Sequence, residues 1–255
     1  MPDSRLKYFG RQIPIHRALH NFHFPRSRLL VVLFLPLVFT LLSWPALKLI
    51  SIYWGYFFDF WITKLDIVGT VLSKKYGPTW LNLSMPYLDV SASVPDAAVW
   101  WWTLLIVVLA TAASPLIPDR YIPLRYFIRL CALIQFSSLI YFVFSPGAFP
   151  CTLQDHLIGF EITAISLMAI LPWVHAIIYY IFGYSLAKKL AFTVITLFAC
   201  SLIAPLLLMI HAYLLYRYSL MLMPLLYFIF GILPLIMVCI SIYGWAMSWA
   251  QRDGS

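Results

Sequence analysis

The stretch LAFTVITLFACSLIAPLLLMIHAYLL, residues 190–215, runs for 26 residues without an Asp, Glu, Lys or Arg. A helix needs about 20 mostly apolar residues to cross the hydrocarbon of a bilayer. This run therefore reads as a transmembrane span with length left to tilt. Five more stretches read the same way, at roughly 29–50, 99–117, 126–145, 159–182 and 220–248. Composition agrees, since 63% of the residues are hydrophobic and 10% charged, where a soluble domain carries about 25% charged residues. Ten Trp, sixteen Tyr and nineteen Phe suit a chain with headgroup-level aromatic belts. The fold class expected is an all-α polytopic membrane protein, a bundle of about six transmembrane helices. Pro36, Pro45, Pro172, Pro205, Pro224 and Pro234 fall inside these runs, where neighbouring helices can satisfy the backbone groups they release, so kinks are expected rather than breaks.

The net charge of +8 is informative through its placement. Arg5, Lys7, Arg11, Arg17, Arg26 and Arg28 precede the first apolar run, which marks residues 1–28 as a basic cytoplasmic segment that binds headgroups. The segment offers no folded basic surface with reading or stacking groups, so nucleic acid is not an expected partner. The run after Arg28 lacks a small-residue cleavage site and reads as a retained anchor. No lipidation box is indicated at either end. With the N-terminus inside, those six residues join Arg120, Arg125, Arg129, Lys188, Lys189 and Arg252 on the inner face. Lys48, Lys64, Lys74, Lys75 and Arg217 fall outside. Twelve against five is the positive-inside pattern, and it predicts an N-in, C-in topology.

Residues 29–255 then form a single transmembrane domain with an outer cap at 51–98. In SIYWGYFFDFWITKL, Trp54, Phe57, Phe58 and Trp61 recur at spacings of three and four, the stripe of an amphipathic helix lying in the interface. KKYGPTW is a turn signal. After it Leu81, Leu83 and Met85 alternate with polar residues, as do Leu88, Val90, Ala92 and Val94 beyond Pro86, which predicts two short strands. Asn82-Leu83-Ser84 is a formal glycosylation sequon.

On this topology the reactive side chains gather at the outer face. Residues 149–161, FPCTLQDHLIGFE, bring Cys151, Asp155, His156 and Glu161 to the entry of the fourth span, and His211 and Arg217 end the fifth. Asp96 opens the second. Cys151 with His156 or His211 has the parts of a thiolate nucleophile and its base, and Arg217 is suited to hold an anion. Cys131, Cys200 and Cys239 fall within spans and read as small hydrophobes, so no disulfide is expected. Asp155, His156, Glu161 and His211 are suitable ligand types but show no H-x-x-x-H or C-x-x-C spacing among them, and neither metal nor cofactor is expected. His16, His20 and His23, at spacings of four and three, share a helix face that would suit a metal, and are read instead as part of a cationic surface helix. Glu161 and His175 share a face of the fourth helix about 21 Å apart, as two stops on a polar path.

Within this cluster DHLIG (155–159) resembles the aspartate-histidine and following glycine of the last motif of exosortases, polytopic enzymes that cleave and sort tagged proteins at the outer membrane face. IAPLLLMIHAYLL (203–215) is similar to the stretch carrying that family's arginine, with His211 in its place. The family's Cys-Ser-Gly box is absent, since Thr152 and Leu153 follow Cys151 and Pro95 and Asp96 stand at the alternative position. The resemblance covers two short segments and implies an exosortase-like transpeptidase or a protein associated with such a system.

No soluble catalytic domain, nucleotide motif or complete metal signature is present, so the function expected is that of a non-catalytic accessory or assembly subunit. Its expected partners are the lipid bilayer and other membrane or envelope proteins. Compact loops and the basic asymmetry point to a bacterial inner membrane. An enzyme using Cys151, His156, His211 and Arg217, and a permease or channel component using Glu161 and His175, are the alternatives.

Overall fold

In the computed structural model, the described residues are 26–76, 83–145, 147, 149–181 and 185–250. They form seven α-helices and one ribbon: α1 (Arg26–Lys64), β1 (Gly69–Tyr76), β2 (Leu83–Val90), α2 (Ala97–Ala113), α3 (Ile122–Phe144), α4 (Leu153–Ile181), α5 (Leu186–Arg217), α6 (Met223–Phe230) and α7 (Ile232–Ala250). The basic residues up to Arg17, the three N-terminal histidines, Leu81, Asn82 and Arg252 lie outside the described residues. By length and composition five helical segments can cross a membrane: Ala97–Leu116, Asp119–Phe144, Leu153–Ile178, Leu186–Arg217 and Leu220–Ser248. A sixth does so if the bent α1 counts as one span.

Polarity is distributed for lipid. Gln135, Ser138, Glu161, His175, Thr193, Thr196, Ser201 and His211 are buried, while Leu41, Trp101, Trp102, Leu133, Ile177 and Phe198 are largely exposed. With hydrocarbon outside, a bundle gains by turning polar side chains inward, where they find partners.

The first span differs from the expectation. In place of a span at 29–50 and a separate interfacial helix, α1 is one helix of 39 residues, bent by 43° between Leu42 and Pro45. The stripe read as interfacial faces the bundle, with Trp54 and Phe58 at 0% and 1% exposure. Periodicity reports that a helix has an apolar face and is silent on whether lipid or protein covers it. Lys48, counted above on the outer side, therefore lies 16 residues, about 24 Å, before the helix end at Lys64.

The ribbon also differs. Leu83–Val90 is one strand running through Pro86, and its antiparallel partner is Gly69–Tyr76, including the two lysines read as a turn. A two-stranded ribbon leaves each strand an open edge, the setting in which a strand tolerates proline. Met85, Leu88 and Val90 are buried against the bundle. The chain leaves α1 through Asp66, which has a left-handed φ of 50°. The amide of Ile67 there donates to the carbonyl of Ile62 at 3.1 Å, the closing bond of a Schellman motif. At Gly69 a Cβ would lie 2.7 Å from the carbonyl oxygen of Asp89, so the ribbon closes only on glycine.

α4 and α5 set the depth scale. His156 meets His211 at 3.1 Å near one end, and His175 meets Thr193 at 3.1 Å near the other. The His156–His175 separation of 19 residues is about 28 Å, close to the roughly 30 Å thickness of bilayer hydrocarbon. Ring contacts set α3 and α5 against the last span: Phe127 on Phe228 and Phe192 on Trp245. Those two contacts are 17 residues, about 25 Å, apart along α6–α7. The Arg120–Arg129 end and the Lys188–Lys189 end thus share a membrane face only if α4, α5 and α7 tilt strongly, as their length allows.

Two prolines explain the central packing. Pro205 has no N–H for the carbonyl of Ser201, four residues earlier, and the buried indole Nε1 of Trp54 donates to that oxygen at 2.9 Å. Pro234 does the same to the carbonyl of Phe230, and the helix breaks at Gly231, where a Cβ would fall 2.1 Å from the Tyr227 carbonyl oxygen. In lipid no water is at hand for such a carbonyl, so a neighbouring side chain must serve. We expect Trp54→Phe to destabilise the bundle by about 1–3 kcal/mol, the cost of a buried acceptor left unmade. Pro205→Ala, which restores the helical donor, should recover most of that loss in the double variant. Unfolding in mixed micelles by added dodecyl sulfate measures both.

Candidate functional site

The residues of 149–161 are arranged by a helix start. Thr152 is the N-cap of α4: its Oγ1 accepts from the amide of Asp155 at 3.1 Å and donates to the Asp155 carboxylate at 2.6 Å. The same carboxylate accepts the Thr152 amide at 3.4 Å. This reciprocal pair is a capping box with Asp at the third helical position. The carboxylate also favours the positive end of the α4 dipole. Asp155 thus has a structural task before any chemical one, and it orients the first turn that carries His156.

His156 faces α5 from that first turn, and His211 sits near the end of α5 with no exposure. Nε2 of His156 and Nδ1 of His211 are 3.1 Å apart. The rings stack with centroids 5.1 Å apart and an interplanar angle of 28°. Phe160 meets His211 edge-on at 5.2 Å, and Tyr227 meets His156 at 5.9 Å. A neutral imidazole carries one N–H, so one of the facing nitrogens donates and the other accepts. Nε2 of His211 has no hydrogen bond of normal geometry among the described residues. The His211 ring lies near the Leu226 and Phe230 carbonyls, the latter released by Pro234.

The other two sequence-predicted residues stand apart. Cys151 is exposed before the cap, and Arg217 is exposed at the end of α5. Among the described residues neither makes a hydrogen bond or ion pair to the histidines. Arg217 instead borders a polar cleft of about 410 Å³ with Ser91, Ser93 and Tyr216. That cleft forms because the amide of Leu220 donates to the carbonyl of Ser93 at 3.1 Å, tying the end of the ribbon to the end of α5. Among the described residues no three His, Cys, Asp or Glu side chains converge as a metal site. Glu161 is buried one turn beyond His156 and is engaged with other groups.

Three features escaped the sequence reading. Trp54 was legible only through Pro205, four residues after its acceptor. The Met221 carbonyl accepts from both Gln135 and Ser138, at 3.2 and 2.7 Å, and pins the α5–α6 turn to α3. The thiols of Cys200 and Cys239 lie 3.7 Å apart across α5 and α7, and no local spacing relates residues so distant in sequence.

No protein-family model matches the chain, and no curated protein and no solved structure is significantly similar to it.

We expect His156→Ala to destabilise the protein by about 1–3 kcal/mol, because it strips His211 of the side-chain partner that it has among the described residues. The double replacement His156→Phe, His211→Phe should cost less than the two single changes added together. A double-mutant cycle on micellar unfolding reads that coupling. Thr152→Ala should cost about 0.5–2 kcal/mol through the lost cap.

Proposed function

We propose that this multi-pass chain is a non-catalytic accessory or assembly subunit of a bacterial cytoplasmic membrane, acting through other membrane or envelope proteins. One observation carries the reading: of Cys151, His156, His211 and Arg217, only the two histidines touch. The thiol that a nucleophilic mechanism needs within hydrogen-bond reach of a base is on the exposed side of the helix cap. The carboxylate beside His156 serves that cap. The histidine pair is enclosed by Phe160, Tyr227 and the end of α6, so it acts as a joint between α4 and α5. The N-in, C-in arrangement belongs to the same proposal and sets the His156 end outside.

Two measurements test it. Purification in mild detergent after cross-linking in intact cells should return the chain with a partner at fixed stoichiometry. Recovery of the chain alone, together with a function abolished by Cys151→Ser in a folded protein, would replace this reading with the enzymatic one. For sidedness, a variant retaining only Cys151 should react with a membrane-impermeant maleimide on intact cells, and a cysteine placed at Lys188 only after permeabilisation. The reverse pattern inverts the topology.

A further inference from the structure

The thiols of Cys200 and Cys239 are 3.7 Å apart across α5 and α7, and both cysteines are free. They sit in a seam where α5 and the last span run antiparallel. On one side of the pair Phe192 meets Trp245, with ring centroids 5.6 Å apart. On the other, His211 lies near the Leu226 and Phe230 carbonyls. Both cysteines belong to segments long and apolar enough to cross the membrane, Leu186–Arg217 and Leu220–Ser248. On α5, Cys200 is 11 residues, about 16 Å, beyond Lys189 and 17 residues, about 25 Å, before Arg217. Cys200 is 1% exposed. Cys239 is half-buried, and Ile236, Met237 and Ile240, within a turn of it, are exposed where lipid lies.

Two thiols in contact can lose two hydrogens and become a disulfide, and their surroundings select the oxidant. A thiolate here would be a bare charge in hydrocarbon. The anionic route of thiol–disulfide exchange in water is therefore closed, and water-borne disulfides such as oxidised glutathione stay outside. The oxidant has to dissolve in lipid and accept protons together with electrons. A quinone does both. We propose that Cys200 and Cys239 form a dithiol redox site whose co-substrate is a lipid-soluble quinone, reaching the pair from the Cys239 side. Two S–H bonds break and one S–S bond forms. The two hydrogens and two electrons pass to the quinone carbonyls, which become the hydroxyls of a hydroquinone, and no charge is created in the lipid. The sulfurs must close from 3.7 Å to about 2.05 Å. The break at Gly231 and Pro234 ends five residues before Cys239 and gives α7 a hinge for that approach. The new bond ties α7 to α5 on the far side of the break from His211. The inference stands independently of the accessory-subunit reading.

The full chain in phosphatidylcholine vesicles, treated with tetramethylbenzoquinone, provides the test. Every ring carbon of that quinone is substituted, so oxidation is favoured over addition of a thiol to the ring. After treatment and denaturation the chain should take up two maleimides in place of the four its cysteines allow, with one hydroquinone formed per chain, and dithiothreitol should restore all four. Peptide mapping should find residues 200 and 239 joined. The mapping needs no variant and so holds even where a substitution unfolds the chain. Cys239→Ser should keep its three thiols and form no hydroquinone. Oxidised glutathione should leave the native chain unchanged. A native chain that keeps all four thiols in the presence of the quinone, or a disulfide that involves Cys131 or Cys151 instead, overturns the proposal. So does equal oxidation by glutathione disulfide, which would put the pair within reach of water. Cross-linking by copper–phenanthroline with none by the quinone would show that the sulfurs meet and remove the quinone as co-substrate, which also overturns it.

Discussion

A carbonyl released by proline inside lipid has no water to turn to, and the centre of this bundle is organised around one such group. Pro205 deprives the Ser201 carbonyl of its helical donor, and Trp54 reaches across from α1 to supply another at 2.9 Å. Because an indole N–H has one direction and no second role, this bond fixes the rotation of α1 as well as its depth. With Trp54 turned inward, Phe58 one turn later is buried too. The opposite face, with Leu41, Lys48 and Ile52, is turned outward. Ser51, on the flank, donates to the carbonyl of Ser84 at 2.6 Å and seats the ribbon on the helix. The cap therefore follows from how α1 is held against α5.

The same logic operates at the second break. Pro234 and Gly231 interrupt the last span, and the carbonyls exposed there face the buried ring of His211. His211 in turn binds His156, whose position depends on the Thr152–Asp155 box. One end of the bundle is thus linked through a series of polar contacts running from a helix cap, through two imidazoles, to a broken helix.

Five of the six runs were legible because a span long enough to cross lipid needs only length and apolarity, which sequence records directly. Their observed ends lie a few residues from the expected ones. The first was misread because Trp54, Phe57, Phe58 and Trp61 give the same period whether they face headgroups or a neighbouring helix. Pro86 looked like the end of a strand because sequence does not say whether an edge faces another strand. Lys74 and Lys75 looked like a turn for the same reason, although a strand outside a bundle carries lysines easily. At the site, the residue types of 149–161 stood out, but their partners come from α5, more than fifty residues on. Asp155 was the exception: the T-x-x-D spacing of a capping box was there to be read.

The polar groups of the bundle lie in two layers rather than in one column. His156, His211 and Glu161 occupy one end, and His175 with Thr193 the other. Along the buried face of α4 between Glu161 and His175 lie Ala164, Met168 and Leu171, none of which carries a proton or holds an ion. On α5 the hydroxyls at that depth are committed to their own helix, Thr196 to the Phe192 carbonyl at 2.7 Å and Ser201 to the Phe198 carbonyl at 2.8 Å. A hydroxyl that donates within its own turn keeps its lone pairs but has no proton to pass on. In this conformation α4 and α5 offer joints at their two ends and apolar contact between them. A solute path along these two helices would have to open by separating them, and the contacts at both ends oppose that.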